Sequence, residues 1–330
     1  MEEGFRLWAN PSSPHAEGRK ARTLLEDARE RIKASLDWGG ELIFTSGASE
    51  ALAIGLGRAG PVRQILSAVE HDAAFRVAPD ARVVAVGADG FVDRDELLGM
   101  AAEGSAVCAI QHVNSETGTM QDFGGLRDAL ASSGSLLLAD CSQSASGYPL
   151  PDADMVVLSA HKLGGPSGIG ALLVRDLAML RPQGGHERGY RQGTENLPGA
   201  LGMAAALKAA RAPDGWTSLE VNEAFDRWRE RAIARGAVEV APGARRGHAI
   251  AAMAHPAMTA QVALIRLDAL GFAVSAGSAC SSGTLRKSRV LEAFGVDDDT
   301  AARTLRVSIG WTTTVEDIER FADAWDSLVS

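Results

Sequence analysis

This 330-residue sequence has few cysteines, no long apolar run and no excess of positive charge. Its three cysteines, Cys108, Cys141 and Cys280, are too few and too scattered for a disulfide framework or a Cys-x-x-Cys metal site. No apolar run reaches the roughly 18 residues that a membrane span requires. Glu2 and Glu3 stand where a signal peptide would carry positive charge. We therefore expect an unexported, cytoplasmic protein with no membrane contact and no metal.

The charge balance excludes a further class of partner. Acidic residues outnumber basic ones by 42 to 33, which gives a formal net charge of -9. Affinity for a phosphate backbone comes from clustered Lys and Arg, so we expect no direct nucleic-acid partner. Hydrophobic residues at 46% and charged residues at 23% are ordinary values for a globular protein. The length suggests about two domains.

The first half of the chain alternates short apolar runs with amphipathic stretches, the pattern of a mostly parallel sheet covered by helices. Seven strands are predicted, at residues 41–45, 62–67, 82–86, 106–111, 135–140, 154–159 and 169–175. The last connection is too short for a crossover helix, so the seventh strand should run antiparallel to the sixth. A breaker cluster at residues 212–215 predicts a large domain over residues 10–213 and a smaller α+β domain over residues 214–330.

Asp140 ends one predicted strand and Lys162 closely follows another, and open α/β sheets bind ligands at the carboxyl ends of their strands. A lysine buried there would have a lowered pKa and could form a Schiff base, whereas alone it is more often a surface residue. Asp140 needs a cationic partner if it is buried, and the pyridinium nitrogen of pyridoxal phosphate is one. Its alternative role is to cap the following loop. The turn before Ser49 resembles a phosphate site at a helix N-terminus, although Ser49 could simply be the N-cap.

Taken together, these segments resemble the cysteine desulfurases of the class V aminotransferase family, which are fold type I pyridoxal-phosphate enzymes. The matching stretches appear in family order over most of the chain, and they are Asn-Pro-Ser-Ser-Pro-His at residues 10–15, Phe-Thr-Ser-Gly-Ala-Ser-Glu at 44–50, Val-Glu-His at 69–71, His-Val-Asn-Ser-Glu-Thr-Gly at 112–118, Asp-Cys-Ser-Gln at 140–143, Ser-Ala-His-Lys at 159–162, Gly-His-Glu-Arg-Gly-Tyr-Arg-Gln-Gly-Thr-Glu-Asn at 185–196, Gly-Ser-Ala-Cys-Ser-Ser-Gly at 277–283 and Leu-Arg-Val-Ser-Ile-Gly at 305–310.

The resemblance implies a role for each matching residue. Lys162 would hold pyridoxal phosphate as a Schiff base, His71 would stack on its ring, Asp140 would pair with the ring nitrogen and Gln143 would bind the ring hydroxyl. The phosphate would be held by Ala48, Ser49, Ser159 and His161, and Thr194 would reach the phosphate of the neighbouring subunit in a homodimer. Asn114 and Arg306 would bind the substrate carboxylate. Weighed alone, His71 is more often a structural histidine, and Arg306 could instead form a structural salt bridge.

Cys280 lies in a run of small residues with Arg286 and Lys287 close behind, a setting that favours a reactive thiolate. Cys108 and Cys141 are interpreted as structural. The motif around Cys280 resembles that of the cysteine desulfurases in which this cysteine lies on a longer, mobile loop. The implied activity converts L-cysteine to L-alanine, leaving a persulfide on Cys280 for a sulfur acceptor in iron-sulfur cluster assembly or tRNA thiolation.

Two alternatives remain open from the sequence. One is another reaction of the family, such as that of a selenocysteine lyase or an aminotransferase. The other is a non-catalytic paralogue that binds the cofactor and serves as an assembly partner. The second is motivated by the Asn-Pro motif, which begins at residue 10, whereas typical members carry a pocket-lining segment before it.

Overall fold

The computed structural model describes residues 1–87, 89–213, 215–276 and 288–328. The chain divides into two compact units. The first comprises residues 1–84, 94–112 and 122–216, and the second comprises residues 85–93, 113–121 and 217–330. Two short segments from the first half of the chain therefore belong to the second unit. The domain boundary between residues 213 and 214, expected from the sequence, stays a prediction.

The first unit contains a seven-stranded sheet. Its strands are β1 (Glu41–Thr45), β2 (Arg63–Ser67), β3 (Arg82–Val84), β4 (Ala106–Gln111), β5 (Leu136–Asp140), β6 (Met155–Ser159) and β7 (Gly170–Val174). They lie in the order β1-β7-β6-β5-β4-β2-β3. Neighbours from β3 to β6 pair in parallel, and β7 runs antiparallel to both β6 and β1. The predicted mostly parallel sheet and the antiparallel seventh strand are confirmed.

Helices accompany this sheet in the first unit. They are α1 (Glu2–Arg6), α2 (Ala16–Ser35), α3 (Ala48–Arg58), α4 (Asp72–Val77), α5 (Arg94–Ala102), α6 (Leu126–Ala131) and α7 (Leu197–Ala210). Every residue of β4, β6 and β7 is buried, which is typical of strands covered on both faces. Within the described part of the chain, no helix is both long and apolar enough to cross a membrane.

Helix α2 shows how an amphipathic stretch of the sequence forms a helix. Ala21, Leu25, Ala28 and Ile32 recur every three or four residues, and all four are buried. The helix begins after His15, whose Nδ1 accepts a hydrogen bond from the Gly18 N–H at 3.1 Å and so satisfies one of the first-turn donors. The same buried stripe also contains a charged residue, Arg29.

Arg29 reaches the edge strand of the sheet. It forms a buried ion pair with Glu187, with Nη1 and Oε2 2.8 Å apart. Arg29 Nη1 also donates to the carbonyl oxygen of Leu42, and Glu187 accepts from the Phe44 N–H at 2.8 Å. Leu42 and Phe44 belong to β1, which pairs with β7 and with no other strand among the described residues. The ion pair therefore satisfies outward backbone groups that an edge strand would otherwise leave without partners.

The second unit contains a four-stranded antiparallel sheet. Its strands are β8 (Val238–Glu239), β9 (Ile250–Ala254), β10 (Ser275–Ala276) and β11 (Thr304–Ser308), in the order β10-β11-β9-β8. Its helices are α8 (Leu219–Ala234), α9 (Ala260–Ala269), α10 (Arg289–Ala293), α11 (Asp298–Arg303) and α12 (Val315–Ser327). A capping box between Thr314 and Asp317 starts α12. The short α10, α11 and β10 were not predicted from the sequence.

An aromatic cluster forms the core of the second unit. Trp228 of α8 lies 5.2 Å from Phe321 and 5.7 Å from Trp325 of α12, measured between ring centroids. The fully buried His255 packs against Trp325 with 5.0 Å between centroids. His255 Nδ1 accepts from the N–H groups of Ala257 and Met258. Burial, reinforced by the positive charge of Arg303, lowers the pKa of His255, so the ring is neutral in the folded protein.

We predict that Arg29→Met destabilises the protein by about 3–5 kcal/mol, because it leaves the Glu187 carboxylate buried without its cation. The matched control is Arg31→Met on the same helix, which removes a solvent-facing pair with Asp27 and should cost under about 1 kcal/mol. Urea unfolding of the two variants and the unmodified protein measures both effects. Equal losses for the two variants would contradict the role assigned to the buried pair.

We predict that His255 makes the protein less stable in acid. Its pKa is lowered on folding, so only the unfolded chain gains a proton as the pH falls below the ordinary value of about 6.5. At pH 5.5 the loss should reach up to about 1.4 kcal/mol. His255→Asn keeps an acceptor for the two N–H groups but does not titrate. The free-energy difference between wild type and this variant should therefore shrink from pH 7.5 to pH 5.5, and a constant difference would refute the assignment.

Candidate active site

The first unit gathers its predicted site residues at one edge of its sheet. Because β2, β4, β5 and β6 are parallel, their carboxyl ends share that edge, where α/β sheets bind ligands. His71 lies just beyond the end of β2, Asp140 is the last residue of β5, and Lys162 follows the end of β6. Gln143 lies in the turn immediately after β5.

Asp140 is the buried charge of this edge, with 7% of its surface exposed. Its Oδ1 accepts a hydrogen bond from the Ser142 N–H at 2.9 Å, so the residue also caps the following turn. Burial raises the pKa of Asp140, while hydrogen bonding with Ser142 and the electrostatic effects of His71 and Lys162 act to lower it. The structure thus brings His71 and Lys162 within electrostatic reach of Asp140. A cation placed beside Asp140 would offset the cost of burying its charge.

His71 is the N-cap of α4, where the sequence indicated only a strand-to-loop transition. Its Nδ1 accepts a hydrogen bond from the Ala73 N–H at 3.1 Å. This bond assigns the proton of the neutral ring to Nε2 and limits rotation of the imidazole. The side chain is exposed, so a face of the ring remains open for stacking on a planar ligand.

Lys162 lies in a single 3-10 turn, Ala160–Leu163, which ends at Gly164 in the left-handed conformation, with φ 79°. Lys162 is exposed, so the burial considered for it in the sequence is not found. The turn starts at the buried Ser159, whose Oγ lies 3.0 Å from Nδ1 of His161. Burial and the neighbouring positive charge of Lys162 lower the pKa of His161. A neutral His161 is therefore expected at neutral pH, able to donate one hydrogen bond and accept another.

The N-terminus of α3 is the predicted anion-binding part of this edge. Its N-cap is Gly47 rather than Ser49, so the capping alternative for Ser49 does not hold. Gly47 has no side chain to cap the helix, and the first-turn residues Ala48 and Ser49 can offer their N–H groups to a phosphate. The first residue of β7, Gly170, passes close by, because a Cβ there would lie 2.7 Å from Cα of Gly47.

Thr194 belongs to a glycine-rich loop that is tied to α3. Arg191 donates to the carbonyl oxygens of Gly193 and Thr194 and lies 3.4 Å from the Glu50 carboxylate in the first turn of α3. Thr194 itself is exposed. Arg191 was not among the predicted site residues, although it is one of two arginines in the motif of residues 185–196.

The second unit holds the two predicted carboxylate-binding residues. Asn114 is buried, and its Oδ1 accepts hydrogen bonds from the Glu116 N–H and from both the N–H and the hydroxyl of Thr117. These bonds orient the amide so that Nδ2, a donor, points the other way. Arg306 of β11 donates to the carbonyl oxygen of Ser115 at 3.2 Å. Arg306 is thus fixed beside the segment that carries Asn114.

Arg306 has a further contact, to the hydroxyl of Ser275 at 3.1 Å. Among the described residues no carboxylate pairs with Arg306, so the structural salt bridge considered for it is not found there. A guanidinium held by neutral oxygens keeps its charge for an anionic ligand, and its planar fork matches a carboxylate.

The three cysteines fall into two groups. Cys108 and Cys141 are fully buried in the first unit, and burial raises the pKa of the Cys108 thiol to about 12 and also raises that of Cys141. Both thiols are therefore poor nucleophiles at neutral pH, in line with the structural interpretation. Cys280 and its neighbours Arg286 and Lys287 lie outside the described residues, so the role of Cys280 stays a prediction.

The comparisons with known proteins identify the family. The family model of class-V aminotransferases matches residues 2–321. The chain belongs to this family. A cysteine desulfurase of Frankia sp. (strain EuIK1) is 36% identical over 352 residues, covering 96% of this chain and 83% of the relative. The cysteine desulfurase IscS of Dictyoglomus turgidum is 30% identical over 353 residues, covering 98% and 88%.

A solved structure supports the same assignment. The NifS-like protein from Rickettsia africae superimposes with a TM-score of 0.85 at 25% identity, covering 99% of this chain and 94% of that one. The predicted fold type I architecture and the resemblance to class-V cysteine desulfurases are confirmed.

We predict that Lys162→Met raises the pKa of His161 part of the way towards its ordinary value. The lysine charge is the smaller of two causes of the lowered pKa, so burial should keep it below normal. The matched control is Lys33→Met, which removes a lysine of α2 that pairs with Glu30. Titration of the labelled His161 ring by NMR measures the shift. An unchanged titration in Lys162→Met would show that the two residues do not interact.

Proposed function

We propose that this class-V aminotransferase family member is a pyridoxal-phosphate-dependent cysteine desulfurase. It converts L-cysteine to L-alanine and transfers the sulfur to Cys280. The observation that carries the proposal is the arrangement of His71 and Lys162 around the buried Asp140 at the carboxyl edge of the sheet. The relatives named cysteine desulfurase, at 30% to 36% identity over nearly the whole chain, support the choice of reaction.

The residues of the first unit fit pyridoxal phosphate. Asp140 is a buried carboxylate whose raised pKa a ring-nitrogen cation would offset, and the N-terminus of α3 lacks a side-chain cap. In the proposed assignment, Lys162 binds the aldehyde, His71 stacks on the ring and Asp140 pairs with the ring nitrogen. Gln143 binds the ring hydroxyl. The phosphate is held by Ala48, Ser49, Ser159 and His161, and Thr194 serves the phosphate site of a second copy in a homodimer.

When bound, pyridoxal phosphate supplies an electron sink for the bonds around Cα of the substrate. The other tasks belong to the protein. Asp140 keeps a negative charge in place, which favours a protonated ring nitrogen. The Lys162 amine accepts the proton from Cα of L-cysteine. Asn114 and Arg306 bind the substrate carboxylate, which fixes the direction in which the amino acid lies.

The sulfur transfer needs no outside oxidant. The Cys280 thiolate attacks the sulfur of the substrate, so that a sulfur–sulfur bond forms as the carbon–sulfur bond breaks. The carbon keeps the electron pair of the broken bond and takes up a proton, and L-alanine is released. A persulfide remains on Cys280. We propose that it is then passed to a sulfur-acceptor protein for iron-sulfur cluster assembly or tRNA thiolation.

We predict that Cys280→Ala abolishes sulfide and alanine release from L-cysteine while leaving pyridoxal-phosphate binding intact. Lys162→Ala should also lose turnover, and in addition it should lose the visible absorbance of a Schiff base. The control is Cys108→Ala, since that thiol is buried with a raised pKa and should not take part. Alanine formation and the visible spectrum of each purified protein are the measurements.

The same experiment separates the alternatives. Full desulfurase activity in Cys280→Ala would contradict the persulfide step. A wild-type protein that binds the cofactor but shows no response to L-cysteine would contradict the enzymatic proposal and favour a non-catalytic paralogue. Faster turnover of L-selenocysteine than of L-cysteine would instead favour a selenocysteine lyase.

A further inference from the structure

A second buried carboxyl group, Glu70, lies at the same edge of the sheet. Glu70 directly precedes His71 and is 2% exposed. Its Oε1 accepts a hydrogen bond from the backbone N–H of Gln111 at 2.7 Å, and the Gln111 side chain donates in return to the carbonyl oxygen of Val69. These two bonds join the segment after β2 to the last residue of β4. Glu70 therefore helps to hold His71 at the sheet edge.

Gln111 also connects Glu70 to Asp140. Gln111 and Asp140 are paired in the register of the parallel strands β4 and β5. The next residue, His112, donates its N–H to the carbonyl oxygen of Asp140 at 2.9 Å. The two carboxyl groups of Glu70 and Asp140 are close enough for the charge of Asp140 to act on Glu70.

The two carboxyl groups differ in what compensates a negative charge. Asp140 has the Ser142 N–H and the nearby positive charge of Lys162. Glu70 has one backbone N–H, and its buried Oε2 has no hydrogen-bond partner among the described residues. Burial, and then the charge of Asp140, raise the pKa of Glu70 well above its ordinary value. Two adjacent buried anions are unfavourable, so the proton belongs on the less compensated group.

We propose that Glu70 is a positioning residue that stays protonated at neutral pH, holding His71 in place while leaving the negative charge of this sheet edge to Asp140. The inference rests on the proposed function, since it assigns Glu70 a task towards the cofactor ring. A second anion beside Asp140 would raise the cost of keeping Asp140 charged. A neutral Glu70 keeps the hydrogen bond to Gln111 without that cost.

The first test is cofactor affinity, measured by titrating the apoprotein with pyridoxal phosphate. Glu70→Gln preserves a neutral side chain and the acceptor for Gln111, so its Kd should stay within about twofold of wild type. Glu70→Ala leaves the buried Gln111 N–H unpaired and frees His71, so its Kd should rise roughly tenfold. The matched control is Asp154→Asn, whose buried carboxyl likewise accepts a backbone N–H, from Leu137, but at the opposite end of the sheet. Its Kd should not change.

The second test observes the proton directly and needs no cofactor. The infrared difference spectrum of the apoproteins at pH 7.5, wild type minus Glu70→Gln, should contain the C=O stretch of a protonated carboxylic acid. Carboxylate bands in that spectrum, or a loss of affinity in Glu70→Gln as large as in Glu70→Ala, would overturn the proposal. A wild-type protein that fails to bind pyridoxal phosphate would contradict the proposed function instead, while the infrared result would still decide the protonation state of Glu70.

Discussion

The buried ion pair between Arg29 and Glu187 supplies hydrogen-bond partners to the outer side of the large sheet's edge strand. An edge strand has one row of backbone groups without partners, and this pair supplies partners for Leu42 and Phe44 of β1. Glu187 adopts φ 48°, a conformation that is unfavourable for a residue with a side chain. Three hydrogen bonds hold Glu187 in this conformation, two from Nη1 and Nη2 of Arg29 and one from the Phe44 N–H of β1.

Two parts of the site depend on this pair. Strand β1 leads directly into Gly47 and the N-terminus of α3, which is the proposed phosphate position. Glu187 begins the loop that continues to Thr194, and Arg191 in that loop reaches back to Glu50 of α3. A single buried charge pair therefore helps to fix the start of α3, which is the proposed phosphate position, and the loop proposed to serve a second copy.

Negative charge is the other constraint on the first unit. The carboxyl ends of parallel strands lie at the same edge of the sheet. Polar residues buried there are close together, so their charges interact strongly. Asp140 is compensated by a backbone N–H and by the charge of Lys162, whereas Glu70 is not compensated to the same degree. This asymmetry gives two carboxyl groups at one sheet edge different protonation states. It also explains why a cationic ring nitrogen would be bound beside one of them.

The sequence by itself determined the parts of this protein that depend on local pattern. Apolar runs identified all seven strands of the large sheet. The signal is strongest for β4, β6 and β7, because strands buried on both faces are apolar along their length. The motifs identified the family, and the short connection before β7 predicted its antiparallel direction. Even the placement of Lys162 and Asp140 at one edge followed from strand direction, since Asp140 ends one buried strand and Lys162 follows another that is parallel to it.

Only the tertiary structure decided the interactions between residues that are distant in the sequence. The pairing of Arg29 with Glu187, 158 positions apart, has no local signature. The same holds for the contact between Arg306 and the segment of Asn114, and for the assignment of residues 113–121 to the second unit. In the sequence, Glu70 is simply the middle residue of the Val-Glu-His motif. Its burial and its hydrogen bond with Gln111 appear only in the folded protein. Burial and charge compensation are properties of the folded surroundings, and a sequence pattern does not contain them.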